Sequence, residues 1–362
     1  MILMKVPDYI AKLKAYVPGK PIEELEREYG ISGCVKLASN ENPIGPSPKA
    51  VEAIKEALRD LHRYPDGYNY LLRQRLGEKL QISSSEIVFG NGSNEIIELL
   101  ARTFLQEGDE VIMPSPSFLM YEIMVQAAGA RPVEVSLKDL AVDLEKMAER
   151  VSGDTRMVFV NNPNNPTGTI VSRDAFEGFL DRISSDVIVV MDEAYIEFVR
   201  DEVCPRGLDY LDSEKAVVTL RTFSKAYGLA GLRIGYGVMK KDIADYINRV
   251  RQPFNTNMLA QVGALAALND DAFFERTIRM VHEELDFLYE HVSKMGLRYF
   301  PTQANFFLID LEQDANEVFE RLLSRGVIVR AMTAYGYPNY IRVNVGLPEE
   351  NQRFVEALKE VL

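Results

Sequence analysis

The sequence predicts an α/β fold: a large domain with a mostly parallel, doubly wound sheet, followed by a small α+β domain. Three observations predict it. Short apolar, β-branched runs alternate with segments of helical periodicity through the middle of the chain. Those runs lack polar alternation, the mark of strands covered on both faces. After Pro253 the pattern changes to long helical stretches and then short strands.

Strands are expected at 86–89, 110–113, 131–135, 156–160, 187–191 and 216–220, with helical periodicity between them at 95–104, 118–128 and 173–183. Strands separated by crossover helices imply a parallel sheet with helices on both faces. The large domain is accordingly expected at residues 35–250. The small domain, 251–362, opens with a helical region at 257–294, broken near Asn269-Asp-Asp271. Elements at 305–310, 315–324, 327–330, 340–345 and 349–362 complete it. Residues 1–34 are expected to form an arm wrapped onto one of the domains.

Composition narrows the function classes. The 362 residues, 47% hydrophobic, suffice for a large core and two domains. Lys+Arg 41 against Asp+Glu 54 gives a formal charge of −13, which argues against nucleic acid or an anionic membrane as partner. Cys34 and Cys204 form no CxxC motif and suit reduced thiols. The opening Met-Ile-Leu-Met-Lys-Val-Pro run is too short for a signal peptide, and no apolar stretch approaches a membrane span, so a cytoplasmic protein is expected. Three histidines and no HExxH leave no metal site expected. There is no P-loop and no G-x-S-x-G elbow.

Polar residues follow three of the expected strands at once. Strand 156–160 runs into Asn161-Asn-Pro-Asn-Asn165-Pro-Thr-Gly168, strand 187–191 into Asp192-Glu-Ala-Tyr195, and strand 216–220 into Thr222-Phe-Ser-Lys225. Ligands of open parallel sheets bind outside the carboxyl ends of the strands, so these segments should converge. A lysine among hydroxyls, with Arg233 eight residues on, suits an aldehyde that carries a phosphate, the description of pyridoxal 5′-phosphate. Asp192 facing a pyridine nitrogen would keep it protonated; taken singly, it serves equally as a helix N-cap. Tyr195 and Asn165 suit the ring's phenolic oxygen, although Tyr195 alone reads as a core tyrosine.

Gly92-Ser93-Asn94, between a strand and a helix, would present backbone N–H groups to a phosphate or form a plain N-cap. Phe118 suits stacking on a flat ring or simple core packing. Arg330 and Arg342 lie at the end of and inside apolar strands, where an arginine implies an anionic partner or a surface position.

Taken in order, Tyr16-Val-Pro-Gly-Lys-Pro-Ile22, Leu37-Ala-Ser-Asn-Glu-Asn-Pro43, Arg63-Tyr64-Pro-Asp66 and Gly92-Ser-Asn-Glu95 begin a series of motifs. Asn164-Asn-Pro-Thr-Gly168, Asp192-Glu-Ala-Tyr-Ile-Glu197, Thr222 to Arg233 and Tyr340-Ile-Arg-Val-Asn-Val-Gly346 continue it. Over nearly its whole length the chain resembles the fold-type I, pyridoxal-phosphate-dependent aminotransferases, and among them the histidinol-phosphate aminotransferases. The resemblance implies that Lys225 bonds the cofactor aldehyde, Asp192 pairs with the pyridine nitrogen, and Asn165 and Tyr195 contact the ring oxygen. It gathers Gly92, Ser93, Asn94, Thr222, Ser224 and Arg233 around the phosphate. It puts Phe118 at the stacking position, where relatives often carry tyrosine.

It further implies a homodimer with shared active sites, Tyr64 reaching the phosphate in the neighbouring subunit. Tyr16, Asn40, Arg330 and Arg342 become substrate-binding residues, with the division of phosphate and carboxylate between the arginines open. The activity implied is transamination between L-histidinol phosphate and 2-oxoglutarate, giving imidazole acetol phosphate and glutamate in histidine biosynthesis. An aromatic amino-acid aminotransferase and a threonine-phosphate decarboxylase are the alternatives.

Overall fold

The computed structural model describes residues 5–13, 15 and 21–362. Among them the strands are β1 (Val35–Lys36), β2 (Ile87–Gly90), β3 (Glu110–Ser115), β4 (Arg131–Ser136), β5 (Thr155–Asn161), β6 (Ile188–Asp192), β7 (Ala216–Thr222), β8 (Gly235–Val238), β9 (Arg298–Phe300), β10 (Phe306–Asp310), β11 (Val327–Ile328), β12 (Arg330–Ala331) and β13 (Tyr340–Asn344).

Seven of these form one sheet in the order β2-β8-β7-β6-β5-β3-β4. The run from β7 to β4 is parallel, and β8 is antiparallel to both neighbours. Alternate residues of the central strands feed different cores. Met157, Phe159, Val190 and Val218 pack with helices Ser93–Phe104 and Lys241–Val250 on one face. Val158, Val160, Val189 and Val217 pack with helices Leu144–Glu149 and Arg173–Arg182 on the other. Full burial of each such side chain contributes about 1.5–3 kcal/mol, which is why these strands carry no polar alternation. Asp143 and Ser172 start the latter two helices by accepting hydrogen bonds from the N–H groups of Lys146 and Ala175.

The second sheet, β12-β13-β10-β9, is antiparallel. Phe306, Phe307 and Val343 pack its core against the long helix Asp271–Lys294 and the C-terminal helix Pro348–Val361. The remaining pair, β1 and β11, is parallel and ties the start of the chain to the C-terminal region. Helix Met258–Leu268 packs on helix Pro48–Ala57, with the Gly263 backbone close against Ile54 and Leu232.

The run 327–330 and strand β8 differ from expectation in instructive ways. The apolar run 327–330 is not one strand: β11 pairs with β1, while β12 pairs with β13 in the other sheet. A short β-branched run states strand preference, but its partners are set by tertiary packing. Strand β8 was not expected, because glycines weaken its pattern. They are there for close approach: a Cβ on Gly235 would lie 2.4 Å from the Ser93 nitrogen.

Candidate active site

The register of the large sheet aligns Asn161 with Asp192 and Asp192 with Leu220, so the carboxyl ends of β5, β6 and β7 open side by side. Over them lies a cavity of about 420 Å³. It is lined from the large sheet by Gly92, Ser93, Asn94, Phe118, Asn165, Asp192, Tyr195, Thr222, Ser224, Lys225 and Arg233. From outside that sheet come Asn40, Glu41, Arg330, Tyr335 and Arg342.

Lys225 extends into this cavity, and its Nζ donates to the Ser39 carbonyl at 3.1 Å. It lies 5.7 Å from the centre of the Tyr195 ring. Burial, then the Arg342, Arg233 and Lys36 charges, pull its pKa down to about 8 against the opposing pull of Glu41. An amine held near neutrality is a competent nucleophile and base at physiological pH.

Asp192, at the end of β6, is buried and raised to about 6 by desolvation. Two donors oppose that rise: the Tyr121 hydroxyl at 2.7 Å from Oδ2 and the Ala194 N–H at 3.2 Å from Oδ1. Tyr121 is itself fixed, stacked on Phe159 at 4.3 Å and edge-on to Phe118 at 5.5 Å. A carboxylate so placed favours a cationic N–H as its partner. Sequence reasoning missed Tyr121, whose place in an apolar helical stripe reads as core.

The Tyr195 hydroxyl accepts from Asn40 Nδ2 at 3.0 Å. Burial pushes its pKa up to about 12, against the pull of Arg342 and Asn40, so it stays protonated and able to donate. Asn40 holds a left-handed backbone, φ 55°, and its buried Oδ1 has no hydrogen-bond partner. Arg342 is fixed on three sides: Nη1 donates to Asn165 Oδ1, Nη2 donates to the Ala38 carbonyl at 2.9 Å, and its guanidinium lies 5.1 Å from the Phe306 ring centre. Asn165, expected at a ring oxygen, here orients this arginine. Arg330 and the unanticipated Tyr335 reach the same cavity.

Gly92 (φ 73°), also in the cavity lining, precedes the helix Ser93–Phe104. A Cβ there would meet Arg233 Nη2 at 2.6 Å, so only glycine lets the guanidinium lie on this bare backbone. Arg233 Nη1 donates to Ser224 Oγ at 3.4 Å, and the Ser224 N–H to Thr222 Oγ1 at 3.1 Å. Helix N–H groups, two hydroxyls and a guanidinium make a phosphate cradle. The donor set therefore fits pyridoxal 5′-phosphate: a phosphate cradle, a buried carboxylate and an amine line one cavity.

Two expected residues stand apart. Tyr64 is 82% exposed, stacked on Phe254 at 4.9 Å, and does not line the cavity of its own chain. Tyr16 lies outside the described residues.

Comparison with known proteins agrees with this geometry. The sequence profile of the family "Aminotransferase class I and II" matches residues 32–358. The histidinol-phosphate aminotransferase of Moorella thermoacetica is 47% identical over 99% of this chain and 93% of its own length. That of Desulfotalea psychrophila is 46% identical over 99% of this chain and 96% of its own. Among solved structures, histidinol-phosphate aminotransferase from Sinorhizobium meliloti in complex with pyridoxal-5′-phosphate superposes with a TM-score of 0.91 at 27% identity, covering 99% of this chain and 97% of that one. Thermus thermophilus aspartate aminotransferase with maleate gives 0.84 at 25% identity, covering 99% and 100%. The chain belongs to the class I and II aminotransferases, in the branch of the histidinol-phosphate aminotransferases.

Proposed function

We propose that this chain is a pyridoxal-phosphate-dependent transaminase that moves an amino group between L-histidinol phosphate and 2-oxoglutarate, giving imidazole acetol phosphate and glutamate. The observation that carries the reading is one cavity that brings the Lys225 amine and the Asp192 carboxylate together with the phosphate cradle, Arg330 and Arg342. When bound, the cofactor supplies an electron sink for the carbon that gives up its proton.

The residues divide the remaining work. Asp192 would hold a proton on the pyridine nitrogen, and Tyr195 and Asn165 would donate to the ring oxygen. Phe118 covers the ring face. Gly92, Ser93, Asn94, Thr222, Ser224 and Arg233 hold the phosphate. The Lys225 amine would serve as the base and then the acid that moves the proton of the substrate carbon. Histidinol phosphate has a phosphate and no carboxylate, while glutamate has two carboxylates and no phosphate. The Arg330 and Arg342 pair serves both, with Arg342 pre-oriented by Asn165 and Ala38. Asn40 and Tyr16 complete the substrate contacts.

The reading includes a homodimer. Tyr64, Tyr68, Tyr70 and Leu71 form an exposed apolar stretch beside Phe254. A second copy covering that stretch would bring Tyr64 to its neighbour's phosphate cradle. No described helix is long and apolar enough to cross a membrane, and the cytoplasm is the proposed location.

The test is product identity with L-histidinol phosphate and 2-oxoglutarate: glutamate formed by wild type and none by Lys225→Ala. Transamination by Lys225→Ala, or CO2 released from threonine phosphate by the wild type, would sink the reading.

A further inference from the structure

Directly behind the cavity lies a buried charge network that the reaction does not use. Glu193 is 0% exposed and Arg221 only 6%. Arg221 Nε donates to Glu193 Oε2 at 2.8 Å, and Nη2 lies 2.8 Å from the same oxygen. Glu193 Oε1 accepts from the Gly207 N–H. Gly207 is pressed so close to β7 that a Cβ there would meet Thr219 Oγ1 at 2.2 Å. Tyr236 on β8 stands in register with Arg221 and hydrogen-bonds to it.

Each member sits one residue from a site group. Glu193 follows Asp192, Arg221 precedes Thr222, and Tyr236 follows Gly235, whose bare backbone carries the Ser93 turn. Because successive side chains of a strand point to opposite faces, Arg221 faces away from the side that Thr222 offers to the cavity. The Glu193 N–H also donates to the Leu220 carbonyl at 2.9 Å, extending the β6–β7 ladder past Asp192.

A buried ion pair is seldom more stabilising than apolar side chains of the same volume, so stability alone does not account for one here. What it supplies that apolar packing lacks is a directional, fixed-length link between two strand ends. We propose that Glu193 and Arg221 are positioning residues that set the distance between two anchors for a rigid ligand: the Asp192 carboxylate, and the cluster of Thr222, Ser224 and Arg233. The inference rests on the cofactor reading of the site. A ligand that touches both anchors senses their spacing; a ligand that touches one does not.

The experiment titrates apo protein with pyridoxal 5′-phosphate, with pyridoxal and with inorganic phosphate, for wild type, Arg221→Lys and the apolar pair Glu193→Met/Arg221→Met. Thermal unfolding is followed in parallel. Wild-type binding of pyridoxal 5′-phosphate tests the cofactor reading separately. For either variant, affinity for pyridoxal 5′-phosphate is expected to fall by about tenfold or more, since sub-ångström misplacement of paired contacts is costly. Affinity for each single-anchor probe is expected to change by less than about twofold. Three affinities that fall together would show a merely structural role and overturn the proposal. So would unchanged cofactor affinity in Arg221→Lys, or full recovery of it in an apolar pair that regains wild-type thermal stability.

Discussion

Replacing Tyr121 by phenylalanine removes one hydroxyl and leaves the ring that stacks on Phe159. That hydroxyl donates to Asp192 at 2.7 Å in a buried setting, and it opposes the desolvation that lifts the carboxyl to about 6. A hydrogen bond to a charged group contributes roughly 1.5–3 kcal/mol, equivalent to about one to two pKa units. At pH 7 a carboxyl near 6 is about nine-tenths ionised; raised by one to two units it is about one-half to one-tenth ionised. Only the ionised form can hold a pyridinium, so cofactor affinity at pH 7 should fall by about two- to tenfold.

The groups facing Asp192 are Tyr121 from the helix Met120–Ala127, Glu193 on its own strand end, and Tyr195. Of these only Tyr121 changes in the variant; Glu193, Tyr195 and Lys225, the last at about 8, keep their identity. Pyridoxamine 5′-phosphate is the probe, because it has no aldehyde for Lys225 to engage. Its own phosphate titrates alike in both proteins and cancels in the comparison. Binding measured between pH 5.5 and 9 should show the acid limb moved to higher pH by about one unit or more, with the alkaline plateau retained. An unmoved limb, or an equal loss at every pH, would refute the reasoning.

Two further outcomes follow from the same geometry. Asp192 has its folded pKa raised from 3.8 to about 6, so its favourable contribution to the apo protein is complete below about pH 4 and is lost as pH rises through about 6. Asp192→Asn should therefore make apo protein more resistant to urea at pH 7.5, by roughly 3 kcal/mol, with the gain vanishing toward pH 4 while cofactor binding weakens. A less stable variant at pH 7.5 would contradict this. Second, on the proposed shared-site dimer, mixed subunits of Tyr64→Ala and Lys225→Ala should recover activity above that of either variant alone, up to roughly one quarter of wild type, since each mixed dimer would hold one intact site. Recovery absent despite mixed-dimer formation would place Tyr64 outside the shared site.

Much of the fold was legible because central strands advertise themselves. Runs such as 187–191 and 216–220 are apolar on both faces, and the polar residue that ends each one marks the face where ligands gather. The Lys225 turn and the Asn161–Gly168 segment were legible for the same reason. Strand β8 was not, because its glycines serve a close approach by the Ser93 turn that no local pattern records. Tyr121 was not, because a tyrosine in an apolar helix face looks like core until its hydroxyl is seen on Asp192. Arg221 and Glu193 lie 28 residues apart in sequence, and only strand pairing makes them one group. The role proposed for Tyr64 needs a second chain, which no reading of one chain's periodicity contains.

Steady-state specificity tests most directly whether the site is built for a phosphate-bearing imidazole amine. With 2-oxoglutarate as acceptor, kcat/KM for L-histidinol phosphate should exceed that for phenylalanine by about a hundredfold or more, since a phosphate brings the proposed Arg330 and Arg342 pair about two negative charges where a carboxylate brings one. Equal or greater kcat/KM for phenylalanine would contradict the account and identify an aromatic aminotransferase instead.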